Sequence, residues 1–154
     1  MTKAWAGEIQ INLKDKTQQV FDNEFLSIQV ISKKSLLILI WKRQITLNER
    51  KEGYTLALSI TAKNNITFWL VDDLQLFFIG LEEMEWLATE WIETASNSSL
   101  LKVGVVSSDY YPALIANTEF TNSIGSQFQS RTKIQHEVFT DYITALNWLS
   151  PDKP

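Results

Sequence analysis

The chain contains no cysteine. Disulfides, thiol nucleophiles, zinc ribbons and iron–sulfur clusters are thereby excluded. Histidine occurs once, at His136, which rules out a poly-histidine metal site and leaves a single imidazole as a candidate base. Five glycines are too few for a phosphate-cradling loop, and neither G-x-G-x-x-G nor G-K-[ST] occurs. The longest apolar run, Leu36 to Trp41, falls far short of the roughly 20 residues that span a bilayer. Met1 to Trp5 places no apolar signal core behind Lys3. The absence of cysteine fits a reducing compartment, and a cytoplasmic location is the expectation.

What remains is a chain of 154 residues, 45% hydrophobic and 21% charged. That composition suits a folded domain, and the length suits one domain with a sizeable core. The net charge of −4 is unevenly spread. Residues 1–65 carry ten bases against six acids, and residues 66–154 four bases against twelve acids. From Asp72 to Leu101 there are seven acids and no base. A polyanion is repelled by such a stretch, so nucleic acid is not an expected partner. A solvated acidic helix face explains the run, and so does docking of a second copy or of a basic protein.

The pattern along the chain alternates strands and helices. Residues 1–15 read as an arm or an edge strand, and Gln18 to Phe21 as a short edge strand. Leu26–Ile31 and Ser35–Trp41 read as a hairpin across Ser32-Lys33-Lys34. Leu36 to Ile40 does not alternate, which predicts a strand buried on both faces. Thr46 to Lys63 reads as a helix opened by a capping box, Thr46-Leu47-Asn48-Glu49. Its apolar residues fall on two sides, with Leu56 and Ile60 opposite Leu47, Tyr54 and Leu58. Gly53 inside it costs about 1 kcal/mol relative to Ala. Ile66 to Val71 predicts a central strand ending in Asp72-Asp73. Leu81 to Ala95 predicts a helix with Leu81, Met84, Ala88, Trp91, Ile92 and Ala95 in one stripe. A buried strand over Leu100–Ser107 follows, then a helix from near Asp109 with Pro112 in its first turn. The polar stretch Thr121 to Lys133 reads as a mobile connection. A strand over Ile134–Phe139 and a helix over Thr140–Leu149, capped by Thr140, close the chain. The expected fold is a single α/β domain over residues 1–154. It has one mixed, mostly parallel sheet of about five strands that opens with a β-hairpin, flanked by about four helices in the order β-β-α-β-α-β-α-β-α.

That order, with Ile38-Leu39-Ile40-Trp41, Trp69-Leu70-Val71-Asp72, Glu85-Trp86-Leu87, Lys102-Val103-Gly104-Val105-Val106 and Ala145-Leu146-Asn147-Trp148-Leu149, resembles the SpoIIAA-like, STAS-related family of small bacterial α/β domains. The family is also compared with the Sec14/CRAL-TRIO lipid-binding fold. The resemblance covers residues 20–150 and implies a regulatory or scaffolding domain without catalysis. STAS antagonists carry a phosphorylatable serine in an Asp-Ser-Ser-Gly-like turn after the central strand. Here that junction, Asp72 to Gly80, has neither Ser nor Thr.

Candidate sites follow from position. Asp72 and Asp73 end a central strand, where ligands bind in open α/β sheets, with Ser107 and Tyr110 at the next strand end. The alternative for the acids is structural: Asp72 ties the loop to backbone amides and Asp73 faces water. Trp86 lies among Glu82, Glu85, Glu90 and Glu93, as a contact anchor or as a ring folded over a neighbouring loop. Trp41, Trp69, Trp91 and Trp148 read as core. Strand alternation puts His136 and Glu137 on opposite faces, and no histidine is placed to activate Ser107 or Ser108. No catalytic residue, metal or cofactor is expected. The leading expectation is a contact domain acting through Trp86, Glu82 and Glu90 and through the stripe at Leu56 and Ile60, with a homodimer or a basic protein as partner. The alternative is a small-ligand or lipid-head-group binder at Asp72, Asp73, Ser107 and Tyr110.

Overall fold

The computed structural model describes residues 16–109, 111–128 and 133–149. The proposed arm over residues 1–15 and Tyr110 lie outside these residues. Six strands form one sheet in sequential order: β1 (Gln18–Asp22), β2 (Leu26–Ile31), β3 (Leu36–Trp41), β4 (Phe68–Asp73), β5 (Lys102–Ser107) and β6 (Gln135–Phe139). The first two pairings are antiparallel and the remaining three parallel. The expected mixed, mostly parallel α/β sheet is therefore present, with β1 as the added edge strand.

Four helical segments connect and cover the sheet: α1 (Leu47–Asn64), α2, α3 (Tyr111–Phe128) and α4 (Tyr142–Leu149). Segment α2 is continuous but irregular, with α-helix over Leu81–Trp86, a π turn over Leu87–Trp91 and α-helix over Ile92–Ser96. The parallel strands follow one another in order, so each crossover helix lands on the same face. On that face Leu37, Trp69 and Val103 of the sheet join Tyr54 and Ala57 of α1 and Leu87 and Trp91 of α2 in one core. Helix α4 covers the other face, where Tyr142, Ala145 and Leu149 meet Ile38, Ile40, Leu70 and Val106. Both β3 and β2 are buried along their whole length, as a strand between two helical layers must be.

Local sequence explains the ends. Thr46 Oγ1 accepts from the Glu49 N–H and Glu49 Oε1 accepts from the Thr46 N–H, completing the capping box of α1. Asn65, in the left-handed region at φ 55°, ends that helix. Helix α4 starts later than the sequence suggests. Its cap is Asp141, whose Oδ1 accepts from the Thr144 N–H at 2.8 Å, and not Thr140. The polar stretch from Thr121, expected to be mobile, is helical as far as Phe128. Hydrophilic composition alone does not break a helix when no proline interrupts it.

Two further expectations are corrected by packing. The buried face of α1 is Arg50, Gly53, Tyr54, Ala57 and Thr61. Leu56 and Ile60 flank that face, half-buried against the same core, and do not form a separate opposite stripe. In α2 the inward residues are Glu83, Leu87, Trp91, Ile92 and Ala95, while Leu81 is 82% exposed. The π turn widens one turn and rotates the phase of the apolar stripe, so a 3.6-residue period drawn through the segment misplaces its first turn.

Gly53 has a steric reason. A Cβ there would lie 2.6 Å from Cη2 of Trp41, which is fully buried. Gly53→Ala should therefore destabilise the protein by about 1–3 kcal/mol through overpacking, although Ala favours the helix by about 1 kcal/mol. Urea denaturation measures this, and a midpoint equal to or above that of the parent would refute the close-approach argument.

Candidate functional site

The carboxyl ends of β4 and β5 hold a buried polar cluster. Asp73 and Ser107 are register partners on the face covered by α1 and α2, and both are buried, with Asp73 only 2% exposed. The expectation that Asp73 faces water is thus overturned: it extends the inward-pointing alternation of Trp69 and Val71 into the helical layer. Asp72 points to the other face. Its Oδ1 accepts from the Leu74 N–H at 2.9 Å, and its Oδ2 accepts a short hydrogen bond from the Tyr142 hydroxyl of α4. The two adjacent carboxylates are therefore split between the two layers and do not form a pair for one cation.

Three residues that the sequence did not single out complete the cluster. Arg50 of α1 and Glu83 of α2 form an ion pair at 2.9 Å, Nε to Oε2, and both are at least nine-tenths buried. Glu83 Oε1 accepts from the Gly80 N–H at 2.8 Å, fixing the start of α2. The Arg50 guanidinium also lies over the rings of Trp41 and Tyr54, at 5.6 and 5.7 Å from their centroids. Asn117 of α3 is buried beside Asp73. Helical spacing contains the signal for two of these: Arg50 lies three and four residues before Gly53 and Tyr54, and Glu83 four before Leu87. Asn117 carries no such signal, because its neighbour is set by how α3 packs on β4.

Burial pushes the Asp73 carboxyl up to about 7; the Arg50 guanidinium opposes this, the Asp72 carboxylate adds to it, a hydrogen bond with the Asn117 amide opposes it and Glu83 adds to it. Burial likewise raises the Tyr54 phenol. Among the described residues, Gln29 Oε1, Arg50 Nη2 and the indole N–H groups of Trp41 and Trp91 are buried without a hydrogen-bond partner. His136 lies apart from this cluster, with Nδ1 2.9 Å from the Thr121 hydroxyl, and burial lowers its imidazole to about 4. No group of three or more metal-ligating side chains occurs among the described residues.

A second feature lies at the surface. Loop 74–80, between β4 and α2, is tied by Gln44, whose Oε1 accepts from the Phe77 N–H at 2.7 Å and whose Nε2 donates to the Phe78 carbonyl at 3.2 Å. So held, Phe77, Phe78 and Leu81 are 62%, 52% and 82% exposed. One and a half turns along, Trp86 does not stand free on the acidic face. It is half-buried, its ring 6.3 Å from that of Tyr54. It lines a groove of about 550 Å³ between α1 and α2 with Lys51, Leu58, Glu90 and Trp91. Glu82 and Glu90 are exposed on the same helix. Trp41, Trp69 and Trp91 are fully inside, while Trp148 is half-buried, 5.5 Å from Phe139.

Comparison of the chain with protein-family models, with curated proteins and with solved structures finds no match.

Two outcomes follow from the cluster. Glu83→Ala leaves Arg50 charged and buried, so it should cost about 3–5 kcal/mol, and Arg50→Met added to it should recover part of that loss. Chemical denaturation of the single and double variants measures both. For Asp73, a carboxyl raised from 3.8 to about 7 binds more protons folded than unfolded in that interval. Its contribution to stability is therefore complete below about pH 4 and is lost as pH rises through 7. His136 has the opposite slope, since its imidazole falls from 6.5 to about 4 on folding. The comparison must accordingly be with a variant: the stability of Asp73→Asn minus that of the parent should increase from pH 4 to 7 and level off above it. A difference independent of pH would contradict the burial of the charge.

Proposed function

We propose that the protein is a non-enzymatic contact domain of SpoIIAA-like, STAS-related type, acting in the cytoplasm and docking a basic protein partner along α2. The observation that carries this reading is the exposure of three large apolar side chains, Phe77, Phe78 and Leu81, at the carboxyl end of a central strand. Exposed apolar groups grouped in one place mark contact surfaces, whereas isolated ones do not. Charge selects the kind of partner. The patch opens a helix bearing Glu82, Glu85, Glu90 and Glu93 within a stretch that has no base from Asp72 to Leu101. A partner with an apolar centre and a basic rim complements it, while an anionic surface is repelled. The basic balance of residues 1–65 makes a second copy the other candidate, in keeping with a homodimer. Among the described residues no helix is long and apolar enough to cross a membrane.

A second reading, a small-ligand binder at the strand ends, is supported by the buried polar side chains Arg50, Ser107 and Asn117 near Asp73. A lipid phosphate fits them poorly, because Asp73 and Glu83 share the single guanidinium of Arg50.

Site-specific photocrosslinking tests the contact reading. A crosslinking residue at Phe78 should capture one defined basic protein, and one at Val20 on β1 should not. Charge reversal of Glu82, Glu85 and Glu90 to Lys should abolish the capture. Capture of the chain itself, with a dimer in native mass spectrometry, would assign the surface to self-association. Equal yields at Phe78 and Val20 would sink the reading.

A further inference from the structure

The sheet face opposite α1 and α2 is covered by one helix among the described residues, α4, which packs on β4, β5 and β6. Neighbouring strands lie about 4.8 Å apart, and a helix with its side chains is about 10–12 Å wide. Helix α4 therefore reaches the near side of β3 and falls short of β2, two strands from β4. Yet that part of the face is sealed. Ile31 of β2 and its register partner Leu36 of β3 are both 0% exposed, and Gln29 and its partner Ile38 are 6% and 0% exposed. Strand β1 gives no cover from the outer flank, since Gln19 and Asp22, which share this face, are themselves exposed. Gln29 Oε1 is buried here without a hydrogen-bond partner. An open valence of that kind is what an apolar group laid over a carboxamide leaves behind.

We propose that residues 1–15 of the same chain dock on this face and lay Trp5, Ile9, Ile11 and Leu13 over Gln29, Ile31, Leu36 and Ile38. Composition selects the occupant. Segments 129–132 and 150–154 contain no large apolar side chain, whereas residues 1–15 contain these four. Connectivity allows it. The segment enters the fold at Lys16, just before Gln18 of β1, which pairs with Val30 beside Ile31. From β1 to β3 is about 10 Å, two strand spacings. Fifteen residues span about 22 Å even at the short rise of a helix, 1.5 Å per residue. The burial of four apolar side chains against an apolar sheet face supplies the driving force. This face is separate from the α2 surface, so the failure of either reading leaves the other standing.

The test is a methyl NOE measurement on the full chain, labelled at the methyl groups of Ile, Leu and Val. Methyl protons of Ile9, Ile11 or Leu13 should show NOEs to those of Ile31, Leu36 or Ile38. In a mixture of two differently labelled samples these NOEs should stay within one copy. The double variant Ile9→Asp with Ile11→Asp should abolish them and shift the Ile31 and Ile38 signals, while those of Leu37 and Leu39 on the opposite face hold. Should that variant fail to fold, the NOEs of the parent chain decide alone. Absence of the NOEs, NOEs to Leu58 in the groove between α1 and α2, NOEs found only between copies, or Ile31 and Ile38 signals unmoved in the folded variant would each overturn the proposal.

Discussion

The buried ion pair between Arg50 and Glu83 is the constraint on which the upper half of this molecule depends. It joins two helices that the sheet alone would not hold in register, α1 and the first turn of α2. Its carboxylate also receives the Gly80 N–H, so the same group fixes where loop 74–80 ends. Its cation lies over Trp41 and Tyr54, which couples the charge to the aromatic core below. Such a pair is weak as a source of stability, because taking both charges out of water offsets most of their attraction. Its effect is geometric: only one placement of α2 satisfies it, and that placement turns Leu81 outward and Leu87 inward.

The core beneath is correspondingly aromatic. Tyr54 contacts the rings of Trp41, Trp69, Trp86 and Trp91 at centroid distances of 5.4–6.3 Å. Large rigid rings fill the layer between sheet and helices with few rotatable bonds. They also demand close backbone approach, which explains Gly53. The Trp69 indole N–H donates to the Thr61 hydroxyl at 2.8 Å, so one potential polar defect becomes a tie between β4 and α1.

Much of this fold is legible in the sequence, and the reason is local. Unbroken apolar runs mark β3, β4 and β5, and a capping box marks the start of α1. These signals need no knowledge of what packs against them. The failures share a cause as well. Asp73, Arg50, Glu83 and Asn117 are polar residues whose burial is set by partners on other elements of the fold, and composition ranks them as surface. A π turn that no local propensity announces takes the apolar stripe of α2 off a 3.6-residue period. Phe77 and Phe78 are the opposite case: phenylalanine ranks as a core residue type, and it is Gln44, just beyond β3, that ties their backbone at the surface.

The exposed apolar patch and the buried polar cluster lie at the two ends of one loop. Segment 74–80 begins at Asp72 and Asp73, which look into opposite layers, and ends at Gly80 on Glu83. Its outer side carries the exposed aromatic rings of Phe77 and Phe78, and its inner side buries Leu76 in the hydrophobic core. A load on Phe78 acts on a backbone carbonyl held by Gln44, and the ion pair of Arg50 and Glu83 holds the other end. Coupling between two sites requires an element that both can bias. Here that element is short, is tied at both ends by named side chains, and has no regular structure of its own to resist movement. Through it a load on the exposed rings reaches the buried ion pair.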